Sequence, residues 1–457
     1  MYNNKKVLVL GLSKSGISAA KYLNKLGAKV FISEFREEKE EDAQTIKELQ
    51  NLGIKIEMGG HSKDFIDGSS LAITSPGIPP KSEVFQILKA KGIQIISEVE
   101  LAYLNTKTPF VVITGTNGKT TTTALANHII SSELKSEACG NIGCPPCYLL
   151  EKDLDCLVCE LSSYQLEMSP TLTPNVAIFT NITPDHLSWH GGFDNYFNAK
   201  AKIFTGKQSA KYCAFNAHDE KLVELSKSCP NIVFFFGKNI GDNACYIEDD
   251  FIVYKQNGVS EKIIEVSKSP IVGYHNYLNI MASVICAKVM GVSNSAIMES
   301  IISFKSPEHR LEKVAIIDGV EFYNDSKATN PEASIVAMNS FAGKKVALIA
   351  GGTDKLTPLD EFCDVANKTI DTVVLIGQGA DRFEAELKKH GFSKIKRAKS
   401  LQEATDMSFA SGVDIVLLSP ACASFDMFNS YEHRGDVFKE YVKTLNKALN
   451  KNFNKFL

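Results

Sequence analysis

Continuous apolar runs alternate with amphipathic segments along the first hundred residues. KKVLVLGL (5–12) is an apolar run closed by glycine, the pattern of a buried strand. SKSGISAAKYLNKLG then places its apolar residues at helical spacing until Gly27, and AKVFISE returns to the strand pattern. The charged stretch 36–52 predicts a second helix. GIKIEMGG and LAITSP predict strands, EVFQILKAKG a helix and IQIIS a further strand. This alternation predicts a doubly wound parallel sheet, because parallel neighbours need a crossover element between them.

A second unit opens near Thr108, where PFVVITGTNGKTTTTALANHIISSEL reads as strand, glycine-rich turn and helix. Strands follow at DCLVCEL (155–161) and NVAIFTNI (175–182), then a helix over FDNYFNAKAKIF (193–204). KYCAFNA, NIVFFFG and CYIEDDFIVYKQNG continue it as strand-rich structure, and it closes with the helix after GYHNYLNI (273–280). SFKSPEHRLEKV (303–314) has the Pro, Ser and charge mixture of a linker. KVALIAGG (345–352), TVVLIGQG (372–379) and DIVLLSP (414–420) then predict the strands of a third unit. The expected fold is α/β in three domains, 1–107, 108–306 and 307–457, which agrees with a chain of 457 residues at about 150 per domain.

With 44% apolar and 23% charged residues the chain is not a largely disordered one. A net charge of -3 gives no global reason to bind nucleic acid or an anionic membrane. MYNNKKVLVLGLSKSG holds only a short apolar run, so the expectation is a cytoplasmic protein with no signal peptide and no membrane insertion. Among the 11 cysteines, Cys144–Cys147 and Cys156–Cys159 are spaced like zinc ligands. The second pair lies in a strand pattern, where positions three apart face opposite sides, so it cannot converge on one ion. We read these as reduced thiols acting as small hydrophobes. Arginine occurs only at positions 36, 310, 382, 397 and 434, so each raises the question of whether a planar, forked cation is required there.

TGTNGKTT (114–121) is the sharpest local signal. A strand runs into a glycine turn whose backbone N–H groups can face phosphate oxygens, and the following helix adds its positive end. Lys119 would reach the terminal phosphates and Thr120 would ligate Mg²⁺. The usual eight-residue pattern needs glycine where Ile113 stands, so this loop is a shortened one counted from Gly115. GLSKSG (11–16) sits where a dinucleotide fingerprint would, with Glu34 at the end of the second strand, but Ser13 replaces the middle glycine. That disfavours a nicotinamide oxidoreductase and leaves a structural turn and a nucleotide diphosphate site both open. Glu160 ends a strand and reads as a magnesium ligand or as a cap. Asp185-His186 and Lys200 follow strands of the same domain, yet a lone histidine and a helical lysine have structural readings too. Asn276 and Asn279 read as caps or as base contacts. NDSKATNP (324–331) and SPACASFDMFNSYEHRGDVF (419–438) combine charge, hydroxyls and small residues in a way that suits ligand contact.

Taken in order, TGTNGKTT, ELSSYQLE, TNITPDHLSWHG, AKAKIF, GYHNYLNI, PEHRLE, NDSKATNP and LSPACASFDMF resemble the Mur ligases of bacterial cell-wall synthesis, from the first strand to beyond residue 438. NDSKATNP and LSPACASFDMFNSYEHRG are similar to the D-glutamate-adding branch of that family. The resemblance implies an N-terminal Rossmann-like domain for a UDP-sugar, a central P-loop ATPase domain and a C-terminal Rossmann-like domain for the amino acid. It implies ATP-dependent, ADP-forming addition of D-glutamate to UDP-N-acetylmuramoyl-L-alanine through an acyl phosphate, by a monomer working with two Mg²⁺ ions.

The same resemblance implies roles for individual residues. Gly115, Thr116, Asn117, Gly118, Lys119, Thr120 and Thr121 would cradle ATP, with Asn276, Asn279, Arg310 (beside His309) and Asp325 on the nucleotide side. Thr120, Glu160 and His186 would hold magnesium, and Lys119, Glu160, His186 and Lys200 would form the catalytic set. Lys200 would carry a CO₂-derived carboxylate (N6-carboxylysine), which needs a neutral amine and hence a pKa below the usual ~10.4. Lys202 is basic but not the modified position. Ser15, Glu34, Arg36, Ser75, Gly77 and Asn141 would line the UDP-sugar site, where Ser13 and Phe35 depart from the family pattern. Lys327, Thr329, Lys355, Ser424 and Tyr431 would receive D-glutamate. Rival readings are a Mur ligase for another amino acid, a folylpolyglutamate synthetase and a non-catalytic P-loop switch. Asn330-Pro331 is followed by Glu332, not by the arginine of the diamino-acid enzymes.

Overall fold

The structure, a computed structural model, describes residues 2–453 except 186, 272, 306 and 307; the side chains of 187, 188 and 446–453 also lie outside the description. The chain forms two compact units, residues 1–270 with 278–304, and residues 271–277 with 305–457. Among the described residues no helix is long and apolar enough to cross a membrane.

The first unit holds two sheets. Lys55–Glu57, Lys29–Ser33, Lys6–Leu10, Leu71–Thr74 and Ile95–Ser97 lie side by side, all parallel. Along Lys6–Leu10, Val7 and Val9 enter one apolar core, and Leu8 and Leu10 join Phe85 and Leu88 in another. A strand buried on both faces needs the unbroken apolar run seen in the sequence. Strand order reverses on either side of Lys6–Leu10, so its carboxyl end opens on a crevice.

The second sheet has nine strands. Phe110–Thr114 runs between Val176–Phe179 and Cys156–Glu160, parallel to both, with Ile113 opposite Glu160 and Thr114 opposite Phe179. Ser136–Gly140 flanks Cys156–Glu160; Tyr212–Asn216, Ile232–Phe236 and Ala244–Glu248 extend the other side in parallel. Phe251–Gln256 and Val259–Glu265 complete it as antiparallel strands. Cys156–Glu160 is a strand, as expected: Cys159 Sγ lies 3.1 Å from Cys139 Sγ, and Cys156 is felt instead by Cys286.

In the second unit Val320–Asn324, Ile415–Leu418, Val346–Gly351, Thr372–Ile376 and Ile395–Arg397 are parallel neighbours, and Glu312–Ile317 pairs antiparallel on the edge. Two sequence expectations need correction here. The tail of the supposed linker 303–314 belongs to Glu312–Ile317, an edge strand whose Glu312, Lys313 and exposed Ile316 break the apolar run that marks a strand. The helix expected over 36–52 occupies only Ala43–Asn51, after one tight turn at Glu40–Asp42. Its first residues are held instead by Arg36, whose guanidinium donates to both Asp42 oxygens at 2.5 and 2.7 Å.

Candidate active site

The phosphate loop leaves Phe110–Thr114 at the carboxyl edge of its sheet and enters the helix Lys119–Ile130. Two glycines make the turn possible. Gly115 has φ +145°, and a Cβ there would lie 1.9 Å from Thr180 Oγ1; Gly118 has φ +81°, and its Cβ would lie 2.6 Å from Asn279 Oδ1. No side chain fits either place. Asn181, just past Val176–Phe179, ties the loop down: its Oδ1 accepts the Asn117 N–H at 2.9 Å, and its Nδ2 donates to the Asn117 carbonyl at 3.0 Å. Thr116 and Tyr196 share a hydroxyl contact of 2.9 Å.

Lys119 opens the helix, and its ammonium donates to the Thr116 carbonyl at 2.7 Å, over the loop it belongs to. Thr120 and Thr121 follow, both buried. Beneath the loop lies Lys200, 2% exposed. Its amine donates to the Gly115 carbonyl at 2.8 Å and to Thr114 Oγ1 at 3.3 Å, 4.9 Å from the centre of the Tyr196 ring. Burial, with Lys119 adding like-charge repulsion, holds this amine well below the usual lysine range, against the opposing pull of Asp185 and Glu160. Lys202, by contrast, pairs with Glu167 at 2.6 Å.

Glu160 reaches the same edge from the neighbouring strand and is 2% exposed. Asn141 Nδ2 donates to its Oε1 at 3.0 Å, while its buried Oε2 has no hydrogen-bond partner. A buried, unpartnered carboxylate oxygen beside a phosphate loop is the environment that a hard cation or its water satisfies. The donor set therefore fits Mg²⁺, to which Glu160 and Thr120 could offer oxygen atoms. His186 lies outside the described residues.

At the switch point of the five-stranded sheet a cavity of about 1060 Å³ opens between that sheet and the 140–145 loop. Ser15, Glu34, Ser75, Gly77 and Asn141 all line it; Arg36 does not, and pairs with Asp42 instead. Glu34 Oε2 accepts the Leu12 N–H at 2.7 Å, which braces the first turn. Ser13 caps the helix Lys14–Lys25 and contacts Ser75 Oγ at 2.8 Å, so the residue that departs from the fingerprint has a folding role. Phe35, 76% exposed, forms part of the wall.

Asn279 is in the body of the helix Tyr274–Val289, where its Oδ1 accepts from Thr122 Oγ1 at 3.1 Å. Asn276 is two residues into that helix, so neither is its cap. In the second unit Asp325 is buried; its Oδ2 accepts from Ser419 Oγ at 2.7 Å and its Oδ1 from the Leu311 N–H at 3.2 Å. Burial pushes its carboxyl up to about 7, against those bonds and the fields of Arg310 and Arg434. His309, buried with φ +64°, is next to Arg310 and contacts Asn324 Nδ2 through Nδ1 at 3.0 Å. Lys327 Nζ lies 5.5 Å from the centre of the Tyr431 ring. Ser424 is buried, Thr329 half-buried and Lys355 exposed on the loop after Val346–Gly351.

Three contributors escaped the sequence reading. Asn181 lies in the TNITPDH segment, Tyr196 is one helical turn before Lys200, and Arg434 was marked by the scarcity of arginine and by its place in a family-like segment but given no role. Arg434 is 1% exposed and binds Ser326 Oγ (2.9 Å), the Ser326 carbonyl (2.8 Å) and the carbonyls of Cys422 (3.1 Å) and Ala423 (3.3 Å).

Three family profiles match in succession: the Mur ligase MurD-like N-terminal domain over residues 5–97, the Mur ligase middle domain over 113–287 and the Mur ligase glutamate ligase domain over 309–422. The chain is 40% identical over 451 residues to the UDP-N-acetylmuramoylalanine–D-glutamate ligase of Thermoanaerobacter pseudethanolicus, covering 96% of this chain and 98% of that one. The ligase of the same name from Bacillus cereus is 38% identical over 452 residues, covering 97% and 98%. Among solved structures, the UDP-N-acetylmuramate-alanine ligase of Thermotoga maritima superimposes with a TM-score of 0.59 at 20% identity, covering 96% of this chain and 99% of that one. The MurF ligase of the same organism in complex with ADP gives 0.58 at 19%, covering 97% and 96%, a likeness of fold. Similar in sequence to such ligases along nearly its whole length, the chain belongs to the Mur ligase family.

Proposed function

We propose that this chain uses ATP to join D-glutamate to UDP-N-acetylmuramoyl-L-alanine, a cytoplasmic step of peptidoglycan synthesis. The observation that carries the reading is the similarity, at 36 to 40% identity over nearly the full chain, to ligases that bear this activity in their name. The geometry around the phosphate loop is what such chemistry requires. Residues 1–107 would hold the nucleotide sugar, 108–306 ATP and 307–457 the amino acid.

The substrate carboxylate attacks the γ-phosphorus of ATP, the bond to ADP breaks, and an acyl phosphate forms. The amine of D-glutamate then attacks the acyl carbon, loses a proton, and phosphate leaves with its bonding electrons. Loop N–H groups from Gly115 to Thr120 would orient the phosphates, and the Lys119 ammonium would follow charge onto the transferring oxygens. Thr120, Glu160 and His186 would hold Mg²⁺, which when bound offsets the repulsion between two anionic reactants. Lys200, whose burial favours the uncharged amine, would add to CO₂: an N–C bond forms, one proton leaves, and the amine becomes a carboxylate beneath the loop. Asp325 would meet the ribose, Asn276, Asn279 and Arg310 the nucleotide, and Lys327, Thr329, Lys355, Ser424 and Tyr431 the amino acid. Ser15, Glu34, Ser75, Gly77 and Asn141 would line the sugar nucleotide, and the Arg36 N–H donates to Glu34 Oε1 at 3.1 Å. The unit of function would be a monomer.

The test is phosphate release from ATP, Mg²⁺ and UDP-N-acetylmuramoyl-L-alanine with D-glutamate, L-glutamate, L-alanine or meso-diaminopimelate. Turnover with D-glutamate alone is expected. Turnover with another of the four would reassign the amino-acid pocket, and silence with all four from folded protein would overturn the reading.

A further inference from the structure

All 11 cysteines are described and free, and only Cys144 and Cys229 are not fully buried. Cys229 follows the helix Glu220–Ser226, in a loop between exposed Ser228 and exposed Pro230. Cys213, fully enclosed, is the second residue of Tyr212–Asn216. The fold clamps these two segments together. Asn231 Nδ2 donates to the carbonyls of Ser209 and Ala210, both at 3.1 Å, and the Ile232 N–H donates to the Lys211 carbonyl at 3.2 Å. Ser209 Oγ contacts both sulfurs, Cys213 Sγ at 3.7 Å and Cys229 Sγ at 3.6 Å. Cys213 Sγ also lies 3.4 Å from the Ala210 carbonyl.

The Cys213 thiol beside it pulls Cys229 below the usual thiol range; partial burial opposes this, and the Asn231 N–H and Ser209 add to it. The same contact with Cys229, together with burial, pushes Cys213 up. The thiol that solvent reaches is therefore the nucleophilic one, and the enclosed thiol next to it keeps its proton. Cys139 and Cys159 also touch, at 3.1 Å, but both are sealed from any oxidant. Cys144 is partly exposed, yet burial and the fields of Cys139 and Glu137 raise it, so it stays a weakly reactive thiol.

We propose that Cys229 and Cys213 form a peroxide-reactive dithiol, in which Cys229 is oxidised first and Cys213 closes a reversible disulfide. The Cys229 sulfur attacks one oxygen of hydrogen peroxide, the O–O bond breaks, and a sulfenic acid forms; the departing hydroxide takes up the thiol proton as water. The Cys213 sulfur then attacks the Cys229 sulfur. The S–O bond breaks, a second water leaves with the Cys213 proton, and the S–S bond forms. Two thiols lose two electrons in all, and one peroxide gains them. Closure to a disulfide keeps Cys229 from irreversible oxidation, and a thiol reductant restores both residues. The link spans the helix Glu220–Ser226 at the amino end of the central sheet, away from the phosphate loop at its carboxyl edge.

The test treats the folded full chain with hydrogen peroxide, alkylates the remaining thiols and maps the unreduced peptides by mass spectrometry. Wild type should give a peptide pair joined through Cys213 and Cys229, two hydrogens lighter than its parts and lost on treatment with dithiothreitol. Peroxide with dimedone should label Cys229 about fivefold more in Cys213→Ser than in wild type, because nothing then resolves the sulfenic acid. Cys229→Ser, a change in a surface loop, should leave Cys213 a thiol, and it serves even if Cys213→Ser does not fold. Absence of the joined pair from peroxide-treated wild type would overturn the proposal. So would equal dimedone labelling of Cys229 in wild type and Cys213→Ser, or oxidation of Cys213 in Cys229→Ser at the wild-type rate.

Discussion

The Lys200 amine lies 2.8 Å from the carbonyl oxygen of Gly115, the residue on which the phosphate loop turns. Strand, loop and helix are thereby joined at one buried nitrogen, whose burial holds its pKa well below the usual lysine range. Replacing it with alanine should lower phosphate release by at least a hundredfold at saturating substrates, because loop position and the carboxylate it can acquire are lost together. Acetate or formate should restore part of the rate to Lys200→Ala and leave the wild type unchanged. Full activity in that variant would remove Lys200 from the mechanism.

Gly115→Ala and Gly118→Ala test the loop itself. With Cβ contacts of 1.9 and 2.6 Å and positive φ at both, the loop must move. Each should cost about 1–3 kcal/mol of stability, read from urea midpoints, with Gly115→Ala the worse. ATP affinity should fall more than nucleotide-sugar affinity, because the cavity at Ser75 and Asn141 is built from other segments.

Asp325 makes stability depend on pH. Its folded pKa, about 7, is above the usual carboxylate value, so the folded state holds a proton that the unfolded chain releases near pH 4. Its contribution is complete below pH 4 and is lost as pH rises to about 7. Asp325→Asn should therefore gain on the wild type by a few kcal/mol between pH 4 and pH 8 in urea unfolding. A gap that does not change with pH would show that burial is not what governs this carboxyl.

Arg434→Lys should cost about 3 kcal/mol, since an ammonium cannot span four acceptors on two segments, and a buried cation that loses partners is strongly destabilising. Ser326 and Ala423 flank the residues proposed for D-glutamate, so KM for D-glutamate should rise more than KM for ATP. Steady-state kinetics with each substrate varied would detect equal rises, which would make Arg434 a purely global staple.

Much of the fold was legible because parallel strands buried on both faces cannot hide: Lys6–Leu10, Phe110–Thr114 and Val346–Gly351 are unbroken apolar runs. Glu312–Ile317 was not legible, because an edge strand can carry charge on one side and needs no such run. Of the residues named from motifs, Lys119, Thr120, Glu160 and Lys200 meet at one sheet edge in the first unit, while Arg36 turns to Asp42.

By itself the sequence determined the order of strands and helices, the shortened phosphate loop and the scarcity of arginine, since each is a local property of residue type and spacing. Tertiary structure alone decided which lysine is buried. Lys200 and Lys202 are two residues apart with the same side chain, yet one is enclosed beneath Gly115 and the other pairs with Glu167 at 2.6 Å. A pKa is set by the dielectric and the charges that surround a group, and those arrive from strands and loops distant in the chain.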